Sequence, residues 1–302
     1  MKFLWIFLTY NRPTIAGQSL NSLFTNTQIA PEEVWIVDDG SRQPTQRAII
    51  DFAMQNSKPE RPINLCMAGR NYGIGYSFER AYNIMRMSDA DVVCFVESDY
   101  IWRKGWAEDV EAVFEASPHT IAIAGCNHPD MYQREKTHGE FCKLMVDQFG
   151  RDLKAREHLY APFKLETKNG PIEVQGVSNS CGCQIVHWGR LRKIFQDLNL
   201  EIDYWKWMDR AFHKNGTGDR RLASDAHMSG TLSMYAEMWM EHHGVDITKN
   251  FGFLDICDYS ISAHVCGGGI NGMICPEGST FIISPKWDNQ FLKNNPRMVA
   301  YS

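Results

Sequence analysis

Short apolar runs alternate with amphipathic stretches from the start of the chain. Phe3–Leu8, Val34–Val37, Ile63–Met67 and Val92–Val96 are each four to six residues long and largely apolar. Runs of this length between polar loops read as strands buried on both faces. Between them lie Thr14–Thr25, Ala48–Asn56 and Tyr76–Met87. In the first of these, Ile15, Leu20, Leu23 and Phe24 recur at helical spacing. Strand and helix in alternation, joined by loops of a few residues, predict a parallel sheet with crossover helices.

The pattern continues with a helix over Trp106–Glu115 and a strand over Ile121–Gly125. Residues 128–170 lose the period and turn polar, which predicts a long irregular connection near a site. Strands are then expected at Ile172–Val177 and Gly182–Val186, and helices at Trp188–Leu198, Asp203–Lys214 and Thr231–His242. Asn215-Gly216 and Gly244 are the kind of residues that close a helix. The remainder is turn-rich, with Cys266-Gly-Gly-Gly269, Asn271-Gly272 and Pro276-Glu-Gly278.

Bulk composition narrows the class. The 302 residues are 44% hydrophobic and 22% charged, enough to build a large core. A net charge of −5 argues against a surface that coats nucleic acid or anionic membrane. Residues 151–222 differ, with 13 Lys and Arg against 9 Asp and Glu, so a local basic face is possible. The nine cysteines form no paired framework and no clear zinc spacing, which points to reduced thiols. The apolar run at the N-terminus is six residues, too short for a signal segment, and no window reaches a membrane span. A cytoplasmic location with no transmembrane segment is the expectation.

Candidate chemistry sits where the strands end. Asp91–Trp102 runs from an apolar strand straight into Glu97-Ser98-Asp99. Two carboxylates at a buried strand end are costly unless a partner neutralises them. Either they hold a divalent cation whose other ligands come from a diphosphate, or they form an ordinary solvated turn. The neighbouring exits favour the cation. They carry Thr9-Tyr10-Asn11-Arg12, then Asp38-Asp39, then Gly69-Arg70-Asn71. In a parallel sheet these loops share one edge, where ligands bind. An aromatic or amide can hold a base, an acid can accept from a base imide or ribose hydroxyl, and an arginine fork can meet a diphosphate.

Taken in order, these motifs resemble those of GT-A-fold, family 2-like glycosyltransferases. Thr9-Tyr10-Asn11-Arg12-Pro13 resembles the family's first loop, and Val37-Asp38-Asp39-Gly40-Ser41 its second-strand signature. Asn71-x-Gly73 resembles the third. Glu97-Ser98-Asp99 stands where the family has its DXD-type metal motif, with Glu in place of the usual first Asp. The resemblance implies an α/β fold with a mostly parallel, Rossmann-like sheet flanked by helices and an irregular acceptor-side C-terminal portion. Residues 1–125 would be the nucleotide-sugar-binding half, and 126–302 the acceptor-binding half of the same domain.

It also implies roles. Thr9, Tyr10 and Asp39 would contact the base, with Asn11 and Arg12 in the same loop. Asp38 would be structural or touch the loop backbone. Arg70, beside Asn71, would approach the diphosphate. Glu97 or Ser98 would face the ribose, and Asp99 would bind Mn²⁺ or Mg²⁺. Ser180-Cys-Gly-Cys-Gln-Ile-Val186 resembles the acceptor-side strand, after which the family has an acid pair. Glu201-Ile202-Asp203 is the nearest match, so Asp203 is the first choice of catalytic base and Asp209 the reserve. The family's late metal-binding His is matched by His264, with His227 as competitor.

The implied activity is transfer of a sugar from a nucleoside-diphosphate sugar, UDP-linked by family habit, to an acceptor hydroxyl with inversion. The acceptor is read as a saccharide or glycan intermediate. Hydroxymethylated DNA is an alternative, since the basic, aromatic stretch 151–222 suits phosphates and an extruded base. A non-catalytic nucleotide-sugar-binding protein is another.

Overall fold

The computed structural model describes residues 1–125, 162–177, 183–200, 225–256 and 262–264, with 225–231 and 262–264 described as backbone. The chain opens with strand β1 (Phe3–Thr9), helix α1 (Pro13–Thr25), β2 (Glu33–Asp38), α2 (Gln43–Asn56), β3 (Ile63–Met67), α3 (Ile74–Met87) and β4 (Val92–Glu97). There follow β5 (Tyr100–Trp102), α4 (Trp106–Ala116), β6 (Ala122–Ala124), β7 (Phe163–Thr167), β8 (Gly170–Gly176), β9 (Gln184–His187) and α5 (Trp188–Asp197). The last elements are α6 (Asp225–His242), β10 (Phe253–Ile256) and β11 (Ser262–His264).

Nine strands form one sheet in the order β3-β2-β1-β4-β9-β6-β10-β8-β7. The β3-β2-β1-β4 half is parallel throughout. Only β8 and β9 oppose the common direction, so the sheet is mostly parallel, as the sequence predicts. β1 lies inside the sheet and is buried along its whole length, which is why it reads as an unbroken apolar run.

Alternation along β1 divides the core into two layers. Trp5 faces α1 and α4, with its ring 5.2 Å from Phe24 and 5.4 Å from Trp106. The next residue, Ile6, is paired with Phe95, which packs at 6.4 Å against Phe78 of α3 on the other side. Truncating an aromatic at such a position, as in Trp5→Ala, removes about 3 to 5 kcal/mol of stability.

The sheet order fixes where a ligand can sit. After β1 the chain builds outward through β2 to β3, then returns to place β4 on the other side of β1. The helices either side of that reversal lie on opposite faces, and a crevice opens at the carboxyl ends of β1 and β4. The register sets Leu8 beside Glu97 there.

Three parts of the pattern depart from expectation. The stretch to residue 170 is not irregular throughout, because β7 pairs with β8 in a hairpin turned at Gly170, where φ is +98°. β7 alternates part-buried Phe163 and Leu165 with exposed Lys164 and Glu166. Two apolar residues are too few to declare a strand. The short strands β5 and β10 were not anticipated either, as three or four residues carry no readable period. Helix α6 begins at Asp225, six residues before the expected start.

Candidate functional site at the β1–β4 crevice

The first three loops are stitched together by polar side chains close to the backbone. Asn11 adopts φ +50°, a left-handed conformation that Asn tolerates better than most residues. Its N–H donates to Ser41 Oγ at 2.8 Å, and its Oδ1 accepts the N–H of Arg42 at 2.7 Å. Arg12 follows directly as the N-cap of α1, so its backbone is anchored on both sides.

Asp38 and Asp39 are both buried but do different things. Asp38 Oδ2 accepts the N–H of Ser41 at 2.9 Å and so shapes its own loop. Asp39 reaches across to the third loop, where its carboxylate accepts the N–H groups of Tyr72 at 3.1 Å and Gly73 at 2.8 Å. It also pairs with Arg80 at 3.1 Å. Those two N–H groups lie at the start of α3, the end of a helix that favours negative charge. Gly73 holds φ +96° and Gly40 holds φ +74°. A Cβ on Gly40 would collide with the backbone of Arg70, so glycine lets the second and third loops close on each other.

Above this frame the side chains turn outward. The Arg70 guanidinium lies 4.8 Å over the Tyr72 ring, and that of Arg80 lies 5.2 Å from it. Tyr10 and Tyr72 are each 36% exposed, Asn71 is exposed, and Thr9 is buried. Among the described residues Thr9 Oγ1 and Asp38 Oδ1 have no hydrogen-bond partner. Both oxygens stand at the carboxyl ends of their strands, beside the crevice.

The fourth exit is braced from below. The N–H of Glu97 donates to Cys183 Sγ at 3.3 Å. Gly125 N–H donates to Cys183 O at 2.7 Å, and a Cβ on Gly125 would strike Cys183. Beyond Glu97, Ser98 and Asp99 are buried, and the Asp99 carboxylate pairs with Arg12 across the crevice. β5 is pinned to α1, since Trp102 N–H donates to Ser22 Oγ and Asn26 Nδ2 to Trp102 O. β11 pairs antiparallel with β5 and sets His264 opposite Tyr100, the residue after Asp99.

Thr9, Asp38 and Glu97 are the last residues of β1, β2 and β4, and Tyr10, Asn11, Arg12, Asp39, Arg70, Asn71, Ser98 and Asp99 lie on the loops that follow, all at one sheet edge. The backbone of β11 brings His264 to the same corner. His227 lies in the first turns of α6. Asp203 and Asp209 lie outside the described residues, as does most of the basic stretch 151–222.

A known family covers more than half of the chain. The family model for glycosyl transferase family 2 matches residues 5–182. The chain belongs to this family. The match spans the four loops just described. No curated protein matches the sequence. Solved structures with partial likeness include the mannosyltransferase PcManGT from Pyrobaculum calidifontis in complex with GDP-Man and Mn²⁺. It is 14% identical, with 77% of this chain and 52% of that one covered and a TM-score of 0.47. S. aureus TarS (residues 1–349) is 16% identical, covering 77% and 56%, with a TM-score of 0.43. Mouse xyloside xylosyltransferase 1 is 12% identical, covering 86% and 98%, with a TM-score of 0.44. The chain spans little more than half the length of the first two. Among the described residues, no helix is long and apolar enough to cross a membrane.

One acid outside the sequence reading stands at the start of α6. Ala236 of α6 packs on Gly252 just before β10, and Trp239 lies 6.2 Å from His119 before β6. Those contacts fix the later part of α6 at the amino end of the sheet. The helix itself begins at Asp225, 11 residues before Ala236. An acid just before a helical run is an ordinary helix-start signal, but the polar Asp225–Gly230 stretch hid that start.

Proposed function

We propose that the chain is a metal-dependent glycosyltransferase that takes a sugar from a UDP-linked donor and passes it to a saccharide hydroxyl with inversion. The observation that carries this reading is the convergence of four polar loops at the β1–β4 crevice, inside the region matched by the family. Tyr10 and Tyr72 supply aromatic faces at the nucleoside end. The unpartnered oxygens of Thr9 and Asp38 suit a base or ribose donor. Asp39 positions the third loop through its three donors and thereby aims Arg70 at the diphosphate.

The corner at Asp99 fits a divalent cation. Its carboxylate is a hard oxygen ligand, and the β5–β11 register, which sets the His264 backbone opposite the following residue Tyr100, supports His264 as a second ligand. A Mn²⁺ or Mg²⁺ there would be completed by diphosphate oxygens and would neutralise the departing nucleoside diphosphate. Glu97 and Ser98 stand on the ribose side of the same turn. The acceptor hydroxyl needs a carboxylate to take its proton as it attacks the anomeric carbon. Asp203 and Asp209 are the bases named by sequence, and Asp225 at the start of α6 is a third candidate. Residues 1–125 serve as the donor half and 126–302 as the acceptor half.

Incubation with a panel of UDP- and GDP-sugars, with and without Mn²⁺, tests the reading. Metal-dependent hydrolysis of a UDP-sugar, enhanced by an oligosaccharide acceptor, is expected. The three aspartates are separated by Asn substitution. The base variant should lose transfer by about 100-fold or more while still binding donor. Turnover of none of the donors, with no nucleotide binding, would overturn the proposal.

A further inference from the structure

The β1–β4 crevice is bridged by one contact that the donor chemistry above does not use, the ion pair between Arg12 and Asp99. It joins two residues 87 apart in sequence, from the two loops that flank the reversal in strand order. The Asp99 side chain is 7% exposed, whereas that of Arg12 is 31% exposed. The carboxylate is therefore fixed, and the guanidinium lies at the mouth of the crevice with room to move. The surroundings reinforce that contrast. Asp99 directly precedes β5, which is pinned to α1. Arg12 has its backbone anchored through Asn11 and the start of α1, but four rotatable bonds separate that anchor from the charge.

We propose that Arg12 is an exchangeable counter-ion of Asp99, displaced by the divalent cation and handed on to the donor diphosphate. This rests on the assignment of Asp99 as a metal ligand. The reasoning is electrostatic. A buried carboxylate is costly unless positive charge meets it, and in this structure the Arg12 guanidinium does so. A divalent ion approaching Asp99 brings two positive charges within a few ångströms of the guanidinium, and like charges at that separation repel. Arg12 then leaves, and the nearest anion it can meet is the diphosphate that completes the metal's coordination. An arginine fork matches those oxygens with two parallel donors, which a lysine cannot do. Metal without nucleotide must therefore evict Arg12 at a cost. Metal together with a nucleoside diphosphate gives Arg12 a new partner and avoids that cost. Arg12 would thus act as a positioning residue that makes metal and nucleotide bind together rather than singly.

The test is Mn²⁺ binding followed by electron paramagnetic resonance of the free ion, with and without UDP, on wild type, Arg12→Ala, Arg12→Lys and Asp99→Asn. Thermal melting of each variant checks folding. Arg12→Ala is expected to bind Mn²⁺ about tenfold more tightly than wild type without nucleotide, because the competing cation is gone. With UDP present the order should reverse, since wild type gains the arginine–diphosphate contact and Arg12→Ala does not. Arg12→Lys should retain competition but give less of the gain from UDP. Equal Mn²⁺ affinity for wild type and Arg12→Ala without nucleotide, while Asp99→Asn loses binding, would overturn the exchange and leave the metal assignment standing. Mn²⁺ binding unaffected by Asp99→Asn would overturn both.

Discussion

The Asp39 carboxylate accepts the backbone N–H of Gly73 at 2.8 Å, so a residue at the end of β2 holds the start of α3. This bond, with those from Tyr72 and Arg80, makes the third loop depend on a side chain from the second. Asp39→Ala would leave two N–H donors and a guanidinium without their acceptor. The expected cost is about 2 to 4 kcal/mol in urea denaturation, because buried bonds to a charged group are the strong ones. Asp39→Asn keeps one acceptor oxygen and should lose less. Both should weaken UDP binding in calorimetry, Ala more than Asn, through misplacement of Arg70.

Gly40 gives a second, purely steric handle on the same loops. Its φ of +74° disfavours any side chain, and a Cβ there would meet the Arg70 backbone. Gly40→Ala is therefore expected to destabilise by about 1 to 3 kcal/mol and to push the Arg70 loop outward. A drop in denaturation midpoint together with weaker UDP binding checks this. A lowered midpoint with unchanged UDP affinity would show that the loop absorbs the methyl elsewhere.

His187 makes the stability pH-dependent. Burial first, and then the charge of Arg190, lower its pKa from an ordinary 6.5 to about 4. The folded state thus holds the proton less tightly than the unfolded state. The stability it contributes is present above pH 6.5 and is lost as pH falls from there to about 4. His187 also caps α5, with Nδ1 accepting the Arg190 N–H at 3.4 Å, and packs edge-on against Phe114. His187→Asn keeps a capping oxygen without titrating. Its melting temperature should fall less than that of wild type between pH 6.5 and pH 4.

Arg190 closes the end of α4 against α5. Its guanidinium donates to the carbonyls of Phe114 at 2.6 Å, Ser117 at 2.8 Å and Thr120 at 2.7 Å. Arg190→Met should cost about 2 to 4 kcal/mol in denaturation, since three carbonyls lose their donor in a largely buried place. Arg190→Lys should recover only part, because one ammonium cannot span all three directions.

How legible these features were in the sequence follows from their physics. The parallel half was readable because β1, β2 and β4 are buried on both faces and leave unbroken apolar runs. The loop acids and glycines stood out because Asp38-Asp39-Gly40 and Glu97-Ser98-Asp99 directly follow such runs. What Asp39 does was not readable, because its partners are backbone N–H groups more than 30 residues away. The pairing of Arg12 with Asp99 is likewise a product of strand order, and neither residue's neighbours announce it. β5 was not readable because three residues have no period, and nothing in the sequence pairs it with β11. Their pairing is what brings His264 to Tyr100. Helix α6 reads short in the sequence because Asp225–Gly230 carries no apolar period.

We infer that Asp99 holds a divalent cation that completes the nucleotide site. Calorimetric titration of UDP into wild type and Asp99→Asn, each with Mn²⁺ and with EDTA, tests it most directly. The account predicts UDP binding by wild type that weakens by at least about tenfold when the metal is chelated. It predicts weak binding by Asp99→Asn that does not respond to Mn²⁺. Wild-type binding equal in Mn²⁺ and EDTA, or a full Mn²⁺ response in Asp99→Asn, would contradict it.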